Sequence, residues 1–180
     1  VQRFTDGFTI VPPMREIGAT GDVERARDIG RLLARELRAV GIDLDLAPVV
    51  DVDSNPANPI IGERSFAADP QTVSAMATAL IDGLQGGGVA ACAKHFPGHG
   101  DTDLDSHHDL PVLSHDMERL ARIELPPFEA AVDANVACLM TAHVVFPALD
   151  PDRPATLSPA VIDGLIRGRL GYDGVVITDD

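Results

Sequence analysis

The chain has 180 residues, enough for one domain with a core of its own. Its net charge of −14, from 28 acidic and 14 basic residues, argues against a nucleic-acid surface, which clusters Lys and Arg to displace counterions from phosphates. Apolar residues make up 45% of the chain, yet no unbroken apolar run approaches the length of a membrane span.

Val1 to Pro13 reads as irregular, with two aromatics, Phe4 and Phe8, and a Pro12-Pro13 break. Residues 22–40 place Ile29, Leu32, Leu33, Leu37 and Val40 on one helical face, and Gly41 ends that helix. Ile42 to Val52 reads as a strand containing Asp43, Asp45 and Asp51. A turn-rich loop from Asp53 to Pro59 follows. Asp69-Pro70 supplies an N-cap and a first-turn proline; Val73, Met76, Ala77, Leu80, Ile81 and Leu84 continue at helical spacing. Gly86-Gly87-Gly88 stops this helix, and a strand begins at Val89. A third helix is predicted over 116–135, with Pro126-Pro127 bending or interrupting it. Val136 to Val145 is a third strand, Ser158-Pro159 starts a last helix, and Gly174 to Ile177 is a fourth strand. Cys92 and Cys138 lie in apolar small-residue runs and are expected to be reduced, buried thiols.

Short apolar strands alternating with helices predict an α/β fold with a parallel sheet. Polar groups stand at the C-terminal end of each strand: Asp51, Lys94-His95, His143 and Asp179. A (β/α)8 TIM barrel and a doubly wound sheet both build sites at that rim. No Gly-x-Gly-x-x-Gly or phosphate loop follows a strand, which favours the barrel. Four strands do not close a barrel of eight. The chain also starts at Val1 and stops abruptly after Thr178-Asp179-Asp180. Residues 1–180 are therefore expected to be an internal segment of a single catalytic barrel, with N- and C-terminal portions outside it.

The stretch Lys94-His95-Phe96-Pro97-Gly98-His99-Gly100-Asp101-Thr102, followed by Asp105-Ser106-His107-His108, concentrates histidines and aspartates after an apolar strand. Together with Val1-Gln2-Arg3-Phe4, Leu46-Ala47-Pro48-Val49-Val50-Asp51-Val52, Ile61-Gly62-Glu63-Arg64-Ser65-Phe66 and Val176-Ile177-Thr178-Asp179-Asp180, it resembles the β-N-acetylglucosaminidases of glycoside hydrolase family 3. Five separated blocks agree, in order, over nearly the whole chain.

That resemblance implies a retaining exo-β-N-acetylglucosaminidase that removes terminal N-acetylglucosamine from peptidoglycan fragments. Splitting a glycosidic bond needs a carboxylate at the anomeric carbon and a proton donor at the leaving oxygen. From its residues alone, Asp179 suits either that carboxylate or a helix N-cap; the resemblance implies the nucleophile. It implies His107, held by Asp105, as the acid–base group, a role that suits a side chain titrating near neutrality. Ser106 lacks the Gly-x-Ser-x-Gly elbow of a serine hydrolase. Lys94, His95, Arg64 and Arg3 carry the sugar-binding roles the resemblance implies, with Asp51 and His143 as further rim residues and His99 and Asp101 shaping the loop. No cofactor and no metal is implied, the partner is the carbohydrate substrate, and a monomer is expected. A metal-dependent hydrolase using His95, His99, Asp101 and His107 is the alternative from residue types. Pro97-Gly98 opposes it, because the proline denies the two histidines a shared helical face. A phosphorylase of N-acetylglucosaminides is the alternative within the family, since imidazole in place of a carboxylate removes repulsion of an incoming phosphate.

Overall fold

The structure is a computed structural model that describes residues 2–102 and 110–179. Four parallel strands, β1 (Leu44–Asp45), β2 (Ala90–Phe96), β3 (Cys138–Thr141) and β4 (Val175–Thr178), lie side by side in chain order. Helices α1 (Met14–Ala19), α2 (Val23–Ala39) and α3 (Pro70–Gly86) precede β2. A sheet whose strands follow each other in parallel, each reached through a helix, is a wall of the (β/α) barrel expected from the alternation. Among the described residues, no helix is long and apolar enough to cross a membrane.

The helices start where the sequence places their caps. Asp22 accepts a hydrogen bond from the Arg25 N–H at 3.0 Å, and Asp69 from the Thr72 N–H at 2.8 Å. They also stop alike. Gly41, Gly88 and Asn135 have φ of 81°, 84° and 55°. In each case the next residue's N–H returns to the carbonyl five positions back: Ile42 to Leu37 at 3.0 Å, Val89 to Leu84 at 3.1 Å, Val136 to Ala131 at 3.0 Å. This closure satisfies end carbonyls and turns the chain straight into the following strand.

Three expected elements take a different form. The first strand, expected over 42–52, is regular only at Leu44–Asp45, because Pro48 has no N–H to place in a ladder. The segment still runs beside β2: the Ala47 carbonyl accepts from Cys92 N at 2.8 Å, and Val50 N donates to the Lys94 carbonyl at 2.8 Å. The third strand ends at Thr141 rather than Val145, because Val145 leaves the sheet to bridge Val112 and Pro154. The helix expected over 116–135 is a composite: α4 (Met117–Arg119), a π turn over Leu120–Glu124, and α5 (Pro126–Asp133). Pro126-Pro127 interrupts the expected helix by opening α5, since a helix's first N–H groups have no intrahelical acceptor. The last helix, Ala160–Arg169, is wound with π spacing and turns Val161, Leu165 and Ile166 inward. Helix α1 has no counterpart among the sequence expectations; six residues are too few to show a period.

The strands' alternation divides two environments. Ala91, Ala93 and Leu139 face the helices and join Leu80, Leu84, Phe128 and Ile166 in the main core. Phe96 meets Phe128 edge-on at 5.0 Å, a pairing worth about 1 kcal/mol beyond area burial. Cys92, Cys138 and Met140 form a separate small cluster on the opposite face. Both cysteines are free and buried, as expected, and burial pushes the Cys92 thiol up to about 12, a chemically quiet state.

Candidate active site

Residues at the C-terminal ends of the strands converge on one polar cluster. Asp51 is its hub, with a side chain wholly out of solvent. Its Oδ2 lies 2.7 Å from His95 Nδ1, and its carboxylate also accepts from the His95 N–H at 3.1 Å and the His99 N–H at 2.7 Å. Burial alone would raise this carboxyl, but the His95 ring beside it and the hydrogen bonds it accepts outweigh that and hold it below the usual aspartate range. The Ser65 hydroxyl donates to the Asp51 carbonyl at 2.7 Å and secures the backbone as well.

With Nδ1 donating to Asp51, His95 turns Nε2 toward Asp179, whose Oδ2 is 3.7 Å away. Arg64, in a short 3-10 turn over Gly62–Arg64, brings Nη2 to 3.5 Å from the same Nε2. Lys94, the only lysine in the sequence, is half-buried beside them. Burial pushes its ammonium down, Arg64 adds to that, and Asp179 opposes both. Asp179 follows β4 directly, its side chain 16% exposed and its N–H donating to the Thr141 carbonyl at 3.2 Å. An acid at a strand tip, a fixed imidazole and two cations around one spot suit a neutral polyhydroxyl ligand with an electrophilic carbon: donors for its oxygens and a carboxylate for its carbon.

The Gly98–Thr102 turn is fastened from behind. His99 is buried, and its Nδ1 meets the Thr102 hydroxyl at 2.8 Å. Asn58 reaches across to donate to the His99 carbonyl at 2.8 Å. Gly100 is required by close approach, since a Cβ there would stand 1.7 Å from the Val52 carbonyl oxygen. Asp101 pairs with Arg119 at 2.8 Å, with His115 Nε2 at 3.0 Å on the same oxygen. His99 and Asp101 thus shape the loop, as expected.

Of the residues expected in the site, the structure gathers Asp179, Lys94, His95 and Arg64. Arg3 is exposed on the N-terminal stretch, and among the described residues no hydrogen bond or ion pair joins it to the cluster. Asp105 and His107 lie outside the described residues. Among the described residues no three of His, Cys, Asp or Glu converge as ligands, and Asp101 is held by Arg119; His107 of the metal alternative lies outside the described residues. Sequence reasoning left Asp51 as a rim residue and missed its role as the hub. Its signal was an aspartate directly after Val49-Val50, at a strand end.

Comparison with known proteins points to the same family. Residues 1–180 match the glycosyl hydrolase family 3 N-terminal domain. A β-hexosaminidase of Thiobacillus denitrificans is 46% identical, the match covering 100% of this chain and 51% of that protein. A glycoside hydrolase family 3 β-N-acetylglucosaminidase from Paenibacillus sp. str. FPU-7 superposes with a TM-score of 0.98 at 51% identity, over 99% of this chain and 34% of that one. Native NagZ from Neisseria gonorrhoeae follows with a TM-score of 0.94 at 40% identity, over 100% of this chain and 55% of that one. The chain spans about half the length of the curated relatives it matches. Strand order, rim chemistry and these likenesses agree, and the chain belongs to glycosyl hydrolase family 3.

Proposed function

We propose that these 180 residues are part of a single (β/α)8 catalytic barrel of a retaining exo-β-N-acetylglucosaminidase, acting on terminal β-linked N-acetylglucosamine of peptidoglycan fragments. One observation carries the reading: the Asp179 carboxylate stands at the tip of β4, 3.7 Å from a His95 whose ring is anchored by buried Asp51. In this reading Asp179 attacks the anomeric carbon, the C–O bond to the leaving group breaks, and a covalent glycosyl-enzyme forms. Water then attacks the same carbon and releases the sugar with net retention. His107, paired with Asp105, gives its proton to the leaving oxygen and takes one from the incoming water; this assignment rests on the family's loop pattern. Lys94, His95 and Arg64 hold sugar hydroxyls, a role that fits two cationic donors and an anchored imidazole brought to one place.

The names carried by the relatives support the sugar and the linkage: β-hexosaminidase and β-N-acetylglucosaminidase. A chromogenic N-acetylglucosaminide offered beside the matching glucoside, with the complete protein, tests the substrate class. Turnover of the first and not the second is expected; the reverse preference would exclude it. Proton NMR of the first-formed product tests retention.

A further inference from the structure

His143 has no part in the chemistry just described, yet it holds the residue on which that chemistry turns. It follows β3 by two residues, and its Nε2 lies 3.0 Å from the Asp179 carbonyl oxygen. A carbonyl oxygen only accepts, so this bond requires the proton on Nε2. Nδ1 faces the Thr156 hydroxyl at 3.0 Å. Thr156 is buried, and its oxygen is also 3.0 Å from the Thr141 hydroxyl. Thr141 can donate to Thr156 or to the Ile177 carbonyl at 3.3 Å, and Thr156 can donate to Nδ1, an arrangement that accommodates the neutral ring with its proton on Nε2. The Ala142 carbonyl, 3.1 Å from Thr156 Oγ1, offers that hydroxyl a second acceptor.

The placement matters because the ladder ends here. Thr141 and Thr178 are the last pair in register between β3 and β4. Beyond them the Asp179 peptide has two polar groups: its N–H goes to the Thr141 carbonyl at 3.2 Å and its C=O takes the His143 proton. Both bonds run to the β3 side. The direction of the Asp179 side chain follows from a residue whose backbone is held on both sides of its Cα.

We propose that His143 is a positioning residue for Asp179: its Nε2–H, bonded to the Asp179 carbonyl and backed by Thr156 at Nδ1, fixes the carboxylate at attack distance from the anomeric carbon. This rests on the reading of Asp179 as nucleophile. His143 itself touches no reacting atom. Loss of the bond should therefore slow the attack while leaving sugar binding intact.

The test uses the complete protein and an aryl N-acetylglucosaminide. His143→Leu keeps the bulk and removes the donor; it should lower kcat by about 10²-fold, the scale of a displacement near 1 Å, with KM little changed. His143→Gln extends an amide N–H to the Nε2 position and should recover most of that loss. Equal loss in both variants, an unchanged kcat in the Leu variant, or a rise in KM alone would overturn the proposal. If the Leu variant fails to fold, ¹⁵N-resolved NMR of the wild-type ring decides. A proton on Nε2 supports the proposal, and a ring protonated on Nδ1 alone overturns it. A wild-type protein inactive on the aryl substrate would instead remove the glycosidase reading itself, and with it any part for His143 in that reaction.

Discussion

The two ends of the sheet are built on opposite plans. Where helices feed strands, one backbone device recurs: a left-handed Gly41, Gly88 or Asn135, with the following N–H returned to the last turn. Where strands end, every position differs. Asp51, Lys94-His95, His143 and Asp179 share no local geometry, and each is held by bonds from another strand or loop. The first end solves a single problem several times, turning a chain without stranding carbonyls. The second gathers unlike charges into one place, and only long-range contacts can do that. Substitutions should therefore separate, with stability changing at one end and chemistry at the other.

Four changes press on that contrast. The largest effect belongs to Asp179→Asn, expected to reduce turnover by about 10⁴-fold with an unchanged thermal melt. Wild-type-like turnover of an activated aryl N-acetylglucosaminide would exclude Asp179 as nucleophile.

Asp51→Asn should break the separation, because a buried hub serves both stability and site. A cost of about 3 kcal/mol at neutral pH is expected, since an amide matches neither the His95 ring nor both backbone donors, and KM should rise as His95 loosens. The pH sign follows from the lowered carboxyl. Its stabilisation is complete above the ordinary value of 3.8 and drains as pH falls through the lower folded value. Denaturant titrations of wild type and variant should thus diverge at pH 7 and converge in strong acid. A constant gap across pH would assign the loss to packing instead.

Gly83→Ala probes the helix layer. A Cβ there would lie 2.2 Å from the Arg27 carbonyl oxygen and 2.9 Å from the Arg31 nitrogen, backbone atoms that cannot swing aside. Separating α2 from α3 should cost about 2 kcal/mol, read in a melt, with kcat per folded molecule retained. Gly88→Ala is the mildest, near 1–2 kcal/mol for a side chain forced to φ of 84°. It too should spare kcat, and a drop in kcat would show that the turn before β2 transmits to Lys94 and His95.

Much of the helix layer could be read from local pattern. Asp22, Asp69 and Gly41 mark ends because caps and left-handed turns depend on residues within a few positions. The composite helix over 117–133 and the broken first strand could not, as both depend on what neighbouring segments accept or refuse. In the site, the motif around Lys94 and His95 and Asp179 after the last strand were legible as residue types in blocks. The hub role of Asp51 and the grip of His143 on Asp179 were not, because each bond spans tens of residues. Alternation of short apolar runs with helical faces determined that this is a parallel α/β sheet with polar strand ends, since period and punctuation are local properties of a chain. Which polar groups face each other was decided only by strand order and register, which bring Asp51, His95 and Asp179, distant in sequence, to within hydrogen-bond reach or a little beyond.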